Sequence, residues 1–398
     1  MLLASRLYFP LHPPLGAIPL LSMKRFAYLA HHLAVLMVLL LRATNGFAQA
    51  SSPKDEYANA REIIADLTKI VAPNGVQESA EMTIGGVKQW VYVRGQDKTN
   101  PIILFVHGGP ASPMAPVAWT FQRPLEEYFT VVQYDQRAAG KTYARNDTTG
   151  LGKTIRIAQY VQDAIELAEA VKQKYGKEKV ILMGHSWGTV VGMQAALKRP
   201  DLFYAYVGIG QVINTRENER LSFDYALAQA TKGKNETALR ELRSIAPYPG
   251  NQPITRERII IARKWPQYYG GLAAYRATFG YYFNAPRLSP LYTAAEVKAI
   301  DQGSLFTLGR LLPEFLTVDF TPVKTFPIPV FMLMGRHDYT TPSAPTEKWV
   351  QQVQAPQKKT IWFENSSHLL PLEEPGKLLL TLVSEVRPLA VKPQPSKK

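Results

Sequence analysis

The sequence contains no cysteine among its 398 residues. Without thiols the chain can form no disulfide, cannot hold a metal through thiolate ligands and cannot carry a lipid on cysteine. An oxidising compartment therefore poses no hazard to this composition.

Histidine is also scarce, with seven residues in the whole chain and only four beyond residue 50. Those four are His107, His185, His337 and His368. No two of them stand at the spacing of a metal-binding pair, so we expect no metal and no other cofactor. The runs at 140–142 and 152–154 lack the earlier glycine of a phosphate-binding loop, and they predict no nucleotide site.

Long apolar runs are missing after residue 50, and the run at 33–41 is too short to span a bilayer. It follows two basic residues and precedes a small-x-small cleavage site at 48–50. This pattern predicts a secretory signal peptide over residues 1–50, with Met23 indicated as the true start. We expect an exported chain, periplasmic or secreted, without a stable membrane anchor after cleavage.

The net charge is +14, and it stays positive at +10 without residues 1–50. The basic residues are scattered or gathered in the tail, and no basic helix organises them. We therefore expect a solvated surface and no nucleic-acid partner. The Pro-rich basic tail at 389–398 is predicted to be disordered.

From Gly85 onward, strand-like apolar runs alternate with helical patterns, which is typical of a mostly parallel sheet covered by helices. The predicted strands cover residues 87–93, 101–106, 129–134, 179–183, 204–209, 329–334 and 359–363. Residues 157–175 carry apolar side chains at helical spacing, and this helix should pack on the sheet.

The alternation stops over residues 214–321, where helical segments carry a cluster of aromatic residues. We interpret this stretch as a helical cap inserted into a core formed by residues 51–213 and 322–388. Aromatic residues at such spacing form a core or line a site, and some members of this cluster should do both. The cluster comprises Trp265, Tyr268, Tyr269, Tyr275, Phe279, Tyr281, Tyr282 and Phe283.

Residues 184–188 read GHSWG, after a predicted strand and before a helical run. The bare G-x-S-x-G pattern is weak, but the strand and the helix around it indicate the nucleophile turn of an α/β-hydrolase fold. Glycines are needed there because the turn is strained and packs against neighbouring backbone. Ser186 is therefore the predicted nucleophile.

A serine hydroxyl needs a base, and histidine is suited to that role near neutral pH. His185 adjoins the serine on the same turn and is expected to point elsewhere, while His107 and His337 follow strands in other motifs. His368 remains as the base, in the loop after the last predicted strand, where the chain order serine, acid, histidine requires it.

Asp338 lies directly after the strand at 329–334, and it is the predicted acid that fixes the histidine tautomer. The loop after the preceding strand, residues 210–213, offers no acid.

An oxyanion hole is predicted from the N–H of Trp187 and from the Gly108–Gly109 segment, with Gly109 favoured. The segment belongs to the run HGGP at 107–110, which follows a strand and can aim backbone N–H groups at a developing oxyanion.

Four stretches together resemble the proline iminopeptidase family of α/β hydrolases: residues 107–110, 135–141, 184–188 and 335–338. The resemblance implies release of N-terminal residues from peptides, and it implies that Asp135 and Arg137, which we expect to be buried, shape a loop near the site.

The chain departs from the family at four positions where glycine is usual: Ala111, Ala138, His185 and Ser367. Family members hold the substrate amine with cap carboxylates, for which Glu217, Glu219 and Asp224 are the candidates here. Tyr281 and Tyr282 are further candidates for substrate contact.

Three functions remain open at this stage. The first is an aminopeptidase of the iminopeptidase type, and the second is an esterase or lactonase for a hydrophobic acyl group. The third is a non-catalytic binding protein that kept the fold. Carboxylates that face Ser186 would favour the peptidase, whereas an apolar lining would favour the esterase. The expected partner is a small peptide or ester, and the sequence does not determine an oligomeric state.

Overall fold

The computed structural model describes residues 55–251, 254–276 and 278–391. Every element below belongs to the compact unit Tyr57–Lys398. Within these ranges, eight strands form one sheet. They are β1 Val76–Ile84, β2 Val87–Gly95, β3 Ile102–Val106, β4 Thr130–Asp135, β5 Val180–His185, β6 Phe203–Ile209, β7 Val330–Gly335 and β8 Lys358–Phe363.

The strands follow the order β1-β2-β4-β3-β5-β6-β7-β8. The pairs β1–β2 and β2–β4 are antiparallel, and all other neighbouring pairs are parallel. The predicted fold class, an α/β-hydrolase fold with a mostly parallel sheet, is confirmed. The carboxyl ends of parallel strands lie at the same edge of the sheet, so the loops after β3, β5, β7 and β8 converge there.

Helices cover both faces of the sheet. They are α1 Ala58–Leu67, α2 Gly140–Arg145, α3 Thr148–Gly152, α4 Ile157–Lys174, α5 Trp187–Lys198, α6 Thr215–Lys232, α7 Glu236–Ser244, α8 Arg256–Pro266, α9 Gly280–Asn284, α10 Ala294–Phe315, α11 Ala344–Gln352, α12 Leu370–Glu373 and α13 Pro375–Thr381. The helix predicted over 157–175 is confirmed as α4.

Strand β3 shows why the central strands read as continuous apolar runs. Leu104 packs into the apolar cluster on one face of the sheet, and Phe105 packs into the cluster on the other face. Since both faces of a parallel sheet are covered by helices, neither set of alternating residues can be polar. The core therefore lies on both sides of the sheet.

Strand β1 was not predicted from the sequence. The residues on one of its faces, Gln77, Ser79, Glu81 and Thr83, are polar and exposed, and β1 pairs with β2 at the edge of the sheet. Gly85 and Gly86 join the two strands, with φ values of 56° and 73°. Two adjacent residues with positive φ form the tight turn of an antiparallel hairpin, so this glycine pair was the available signal.

The segment between β6 and β7 contains α6 to α10, and its described residues include no strand. We call these five helices the cap helices. They hold an apolar cluster of their own, which includes Phe223, Leu242 and Trp265. Trp265 is thus a core residue, while Tyr275 is 77% exposed.

The predicted signal peptide over residues 1–50, with its start at Met23, lies outside the described residues and stays a prediction. In the predicted disordered tail, residues 392–398 lie outside them too, but Leu389 and Ala390 are described and pack against the core. Within the described ranges, no helix is long and apolar enough to cross a membrane.

Candidate active site

Ser186 occupies the turn between β5 and α5, with φ 55° and ψ −123°. A positive φ is strained for a residue with a side chain, and it lifts the serine out of the line of the strand. The backbone N–H of Ser186 donates to the carbonyl of Ile209 at 2.9 Å.

The glycines that flank Ser186 are required by close backbone contacts. A Cβ on Gly184 would lie 2.7 Å from the carbonyl oxygen of Gly188. A Cβ on Gly188 would overlap the carbonyl oxygen of Val106 on β3. The turn therefore packs against the neighbouring strand, as the sequence pattern predicted.

Gly188→Ala is expected to lower the free energy of unfolding by about 2 to 4 kcal/mol, because the new methyl group must displace the backbone of β3. Urea denaturation of the purified variant measures this change. Gly309→Ala is the matched control, since a Cβ at this helical glycine meets nothing within 4 Å. That control should be neutral or stabilising by up to about 1 kcal/mol. Equal urea midpoints for Gly188→Ala and wild type would contradict the packing argument.

The predicted acid and base are hydrogen-bonded to each other, and both are buried. Nδ1 of His368 lies 2.8 Å from Oδ2 of Asp338. Because an ionised carboxylate only accepts hydrogen bonds, Nδ1 carries the proton and Nε2 is left with its lone pair. This is the tautomer that a general base requires.

Asp338 is fixed by two threonines that follow it. The backbone N–H groups of Thr340 and Thr341 donate to its Oδ1 at 2.9 and 2.8 Å. The Thr341 hydroxyl donates to Oδ2 at 2.9 Å and lies 3.1 Å from Nδ1 of His368. These three donors hold the carboxylate in the orientation that meets the histidine.

His185, which the sequence did not favour as the base, lies beside His368. Its Nε2 is 3.0 Å from the carbonyl oxygen of His368, and the two ring centroids are 4.8 Å apart. Burial lowers the pKa of His185 to about 3, so its ring stays neutral near pH 7. It supports the main chain of His368 and is not hydrogen-bonded to Asp338.

The other two histidines have separate contacts. Nε2 of His107 accepts the N–H of Gln136 at 3.1 Å, so its Nδ1–H donates to the carbonyl of Gly108 at 2.9 Å. Burial lowers the pKa of His107 to about 4. His337 lies at the surface, with Nε2 2.7 Å from the hydroxyl of Tyr275.

The predicted oxyanion groups lie next to Ser186. Gly108 approaches so closely that a Cβ on it would be 3.0 Å from the Cβ of Ser186. Gly109 has φ 117°, which only glycine adopts readily. Trp187 is the first residue of α5, where a backbone N–H has no partner within the helix.

Two cavities open onto Ser186. The second cavity is lined by Gly108, His185, Ser186 and His368, together with Tyr282 of the cap helices. The first encloses about 890 Å³, including its open mouth. It is lined by Gly109, Pro110, Ser186, Trp187, Val212, Ile259, Ile260, Arg263, Gln267, Ser304, Leu308, Leu311, Leu312, Phe315, Thr340 and Thr341.

The first cavity is mainly apolar, and most of its aliphatic residues come from α8 and α10. Among the described residues that line either cavity there is no carboxylate, and Arg263 is the one side chain that carries a permanent charge. The cavity is therefore suited to an apolar group and lacks a partner for an ammonium group.

The candidate cap carboxylates do not line either cavity. Glu219 is buried, where its Oε2 accepts the Tyr248 hydroxyl at 2.7 Å and its Oε1 pairs with Arg263. Glu217 is half-buried beside the start of α6. Asp224 is an exposed partner of Arg220 on the surface of α6.

The two candidate tyrosines differ in position. Tyr282 lines the second cavity, and its hydroxyl lies 3.8 Å from the sulfur of Met114. Tyr281 is not among the described lining residues, and the guanidinium of Arg276 lies over its ring at 3.9 Å. The described part of the chain also holds no group of three side chains placed to bind a metal.

The sequence matches the model of a known protein family. The model of the alpha/beta hydrolase family matches residues 103–380, which is more than half of the chain. The chain belongs to the alpha/beta hydrolase family. Membership in this family, together with a relative named as a probable aminopeptidase, supports a hydrolase.

This alpha/beta hydrolase is 30% identical over 310 residues to the probable aminopeptidase YbaC of Bacillus subtilis (strain 168), covering 77% of the chain and 95% of that protein. It is 26% identical over 293 residues to the proline iminopeptidase of Heyndrickxia coagulans, covering 71% and 89%. The crystal structure of a proline iminopeptidase-related protein from Thermus thermophilus matches with a TM-score of 0.53 at 20% identity, covering 79% and 99%. That last likeness concerns the fold.

In the alpha/beta hydrolase, the cap helices are hydrogen-bonded to the loop that contains Asp338. The sequence did not predict these contacts. Asn218 and Arg263 donate to the carbonyl of Thr340 at 3.2 and 2.7 Å, and Ser222 donates to the carbonyl of Tyr339 at 2.6 Å. These contacts join residues more than 70 positions apart, so no local sequence pattern predicts them. The cap helices therefore help to place Asp338.

Asp135 and Arg137 of the alpha/beta hydrolase are fully buried, as expected. Arg137 pairs with Asp163 at 2.9 Å. Asp135 accepts the N–H of Lys141 at 2.7 Å and is hydrogen-bonded to the hydroxyl of Tyr292. Burial raises the pKa of Asp135 to about 7. Since Tyr292 belongs to the segment before α10, Asp135 ties that segment to the end of β4.

Proposed function

We propose that the protein is a serine hydrolase that works through an acyl-enzyme on Ser186, with His368 as base and Asp338 as the acid. The observation that carries the proposal is the buried 2.8 Å contact from Asp338 to His368, whose loop shares a cavity with Ser186. The same contact speaks against a non-catalytic binding protein, which has no need of an oriented, buried histidine.

In the first half-reaction, Oγ of Ser186 attacks the carbonyl carbon of the substrate while Nε2 of His368 takes the hydroxyl proton. The carbonyl oxygen becomes negative and accepts N–H groups from Trp187 and Gly109. The bond to the leaving group then breaks, and His368 gives its proton to the leaving oxygen or nitrogen.

In the second half-reaction, water attacks the acyl-enzyme and gives its proton to Nε2 of His368. The tetrahedral intermediate again places its negative oxygen at Trp187 and Gly109. Its collapse releases the acid, and Ser186 recovers the proton from His368. Asp338 stabilises the imidazolium that exists between these transfers.

The cavity lining favours an ester with a hydrophobic acyl group as the substrate. Its walls are aliphatic side chains of α8 and α10, which gain free energy from burying an apolar chain. An ester also has a better leaving group than an amide, so its hydrolysis needs less catalytic assistance from the site. We infer that the protein is an esterase or a lactonase, in agreement with one of the alternatives that the sequence left open.

An aminopeptidase of the iminopeptidase type is the second candidate, and the likeness to the probable aminopeptidase of Bacillus subtilis favours it. The described lining speaks against it. A substrate ammonium that enters an apolar cavity must be paired with a carboxylate, and the charged group present there is the guanidinium of Arg263.

Mature protein, residues 51–398, is expected to hydrolyse aryl esters of medium-chain acids with a kcat/KM at least about 100-fold above that for proline arylamide. The reason is that the free amine of the arylamide finds no carboxylate in the described lining. The measurement compares aryl esters, free-amine arylamides and N-acylated arylamides at pH 7. The N-acylated arylamides separate the effect of the amine from that of the scissile bond.

A preference for free-amine arylamides over both other classes would establish the aminopeptidase and contradict the esterase. Hydrolysis of none of the three classes would contradict the serine hydrolase as a whole.

A further inference from the structure

Arg263 on α8 stands out because it brings a permanent charge into a mainly apolar wall. It lines the first cavity with Ser186, and 23% of its side chain is exposed. Arginine is costly to place in an apolar wall unless its N–H groups are used.

Two of the five N–H groups of Arg263 have identified partners. One donates to the carbonyl of Thr340 at 2.7 Å, and another pairs with the buried Glu219. Glu219 is held in turn by the hydroxyl of Tyr248 at 2.7 Å. Glu219 is not among the described lining residues, whereas Arg263 is, and three N–H groups of the guanidinium have no identified partner among the described residues.

We propose that Arg263 binds a carboxylate on the acyl part of the substrate, so that the preferred substrates are monoesters of dicarboxylic acids. This inference rests on the proposed ester hydrolysis and adds a substrate class to it. The aliphatic walls bind the methylene chain, Ser186 attacks the ester at one end, and Arg263 binds the carboxylate at the other. A guanidinium is the side chain best matched to a carboxylate, because it offers parallel donors.

Glu219 limits this preference without removing it. Its buried carboxylate pairs with Arg263 outside the described lining and neutralises part of the charge that a substrate meets. A substrate carboxylate on the cavity side is closer to the guanidinium than to Glu219, so attraction exceeds repulsion. Neutralising Glu219 should therefore strengthen the preference for an anionic substrate.

A purely structural role for Arg263 makes a different prediction. Arg263 also fastens α8 to the loop that contains Asp338, so its loss can slow the reaction for every ester. Such a role changes kcat for charged and neutral substrates alike. Binding of a carboxylate changes the ratio of the two kcat/KM values, and this ratio is the readout.

The experiment uses 4-nitrophenyl monoesters of dicarboxylic acids with six to nine carbons, each compared at pH 7 with its own methyl ester. Each pair has the same chain and the same 4-nitrophenol leaving group, and a neutral methyl ester replaces the carboxylate at the far end. Wild type, Glu219→Gln, Arg263→Lys and the double variant Arg263→Met with Glu219→Gln are compared. The double variant avoids leaving Glu219 buried without its partner, which would endanger folding.

We expect wild type to prefer the carboxylate by about 10- to 100-fold in kcat/KM for the best chain length, which is the range of a charged hydrogen bond. Glu219→Gln should raise the preference, Arg263→Lys should keep part of it, and the double variant should abolish it. Equal hydrolysis of both probes by wild type overturns the inference and leaves the esterase standing. So does a preference that survives in the double variant. Hydrolysis of neither probe contradicts the proposed function itself.

Discussion

Alanine in place of Ser186 is expected to lower kcat for aryl ester hydrolysis by at least about 10⁴-fold, because no acyl-enzyme can form without the hydroxyl. The contacts that build the turn are made by the main chain of residue 186. Its N–H donates to Ile209, and its carbonyl accepts from the N–H of Thr189 at 2.8 Å. Alanine keeps both contacts, so the fold should be retained.

Thermal unfolding of Ser186→Ala, followed by circular dichroism, provides the control. Its Tm should stay within about 2 °C of wild type, since one partly exposed hydroxyl contributes little to packing. A variant that keeps activity within tenfold of wild type would show that another residue is the nucleophile.

Asp338→Asn is expected to lower kcat by about 10³- to 10⁴-fold. The amide can still accept the N–H groups of Thr340 and Thr341 on its oxygen. Its nitrogen then faces Nδ1 of His368 and donates to it, so the proton of the imidazole moves to Nε2. In that tautomer His368 cannot take the proton of Ser186. Steady-state kinetics on an aryl ester measures the loss.

Asp319→Asn is the matched control for this substitution. Asp319 also accepts the backbone N–H of the residue two positions ahead, Thr321, at 2.8 Å, but it lies outside the described lining of the cavities. Activity near wild type is expected for this control. If Asp338→Asn loses less than about tenfold in kcat, Asp338 is not the residue that orients His368.

The parts of the fold that sequence could predict are those that local chemistry dictates. The central strands are covered on both faces and must therefore be continuous apolar runs, as β3 illustrates. The turn at Ser186 needs glycine at 184 and 188 because backbone fills the space that side chains would occupy. Asp338 and His368 each follow a strand of the parallel sheet, so their meeting at its edge could be expected from topology.

The parts that sequence could not predict depend on contacts between distant segments. His185 adjoins the nucleophile in the chain, yet its ring supports the carbonyl of a residue 183 positions later. Glu219 was a candidate for binding substrate, but it is buried in an ion pair with Arg263 of another helix. Helix packing decides which charged side chain of the cap helices lines the cavity, and α8 carries one acid and four basic residues.

The central claim is that Ser186 becomes acylated, and covalent labelling tests it most directly. A protein of residues 51–398 is treated with an alkyl fluorophosphonate, which reacts with an activated serine, and its intact mass is measured before tryptic mapping. We predict one adduct per chain, located in the tryptic peptide Val180–Lys198, and no adduct on Ser186→Ala. An adduct in another peptide, or equal labelling of Ser186→Ala, would contradict the account.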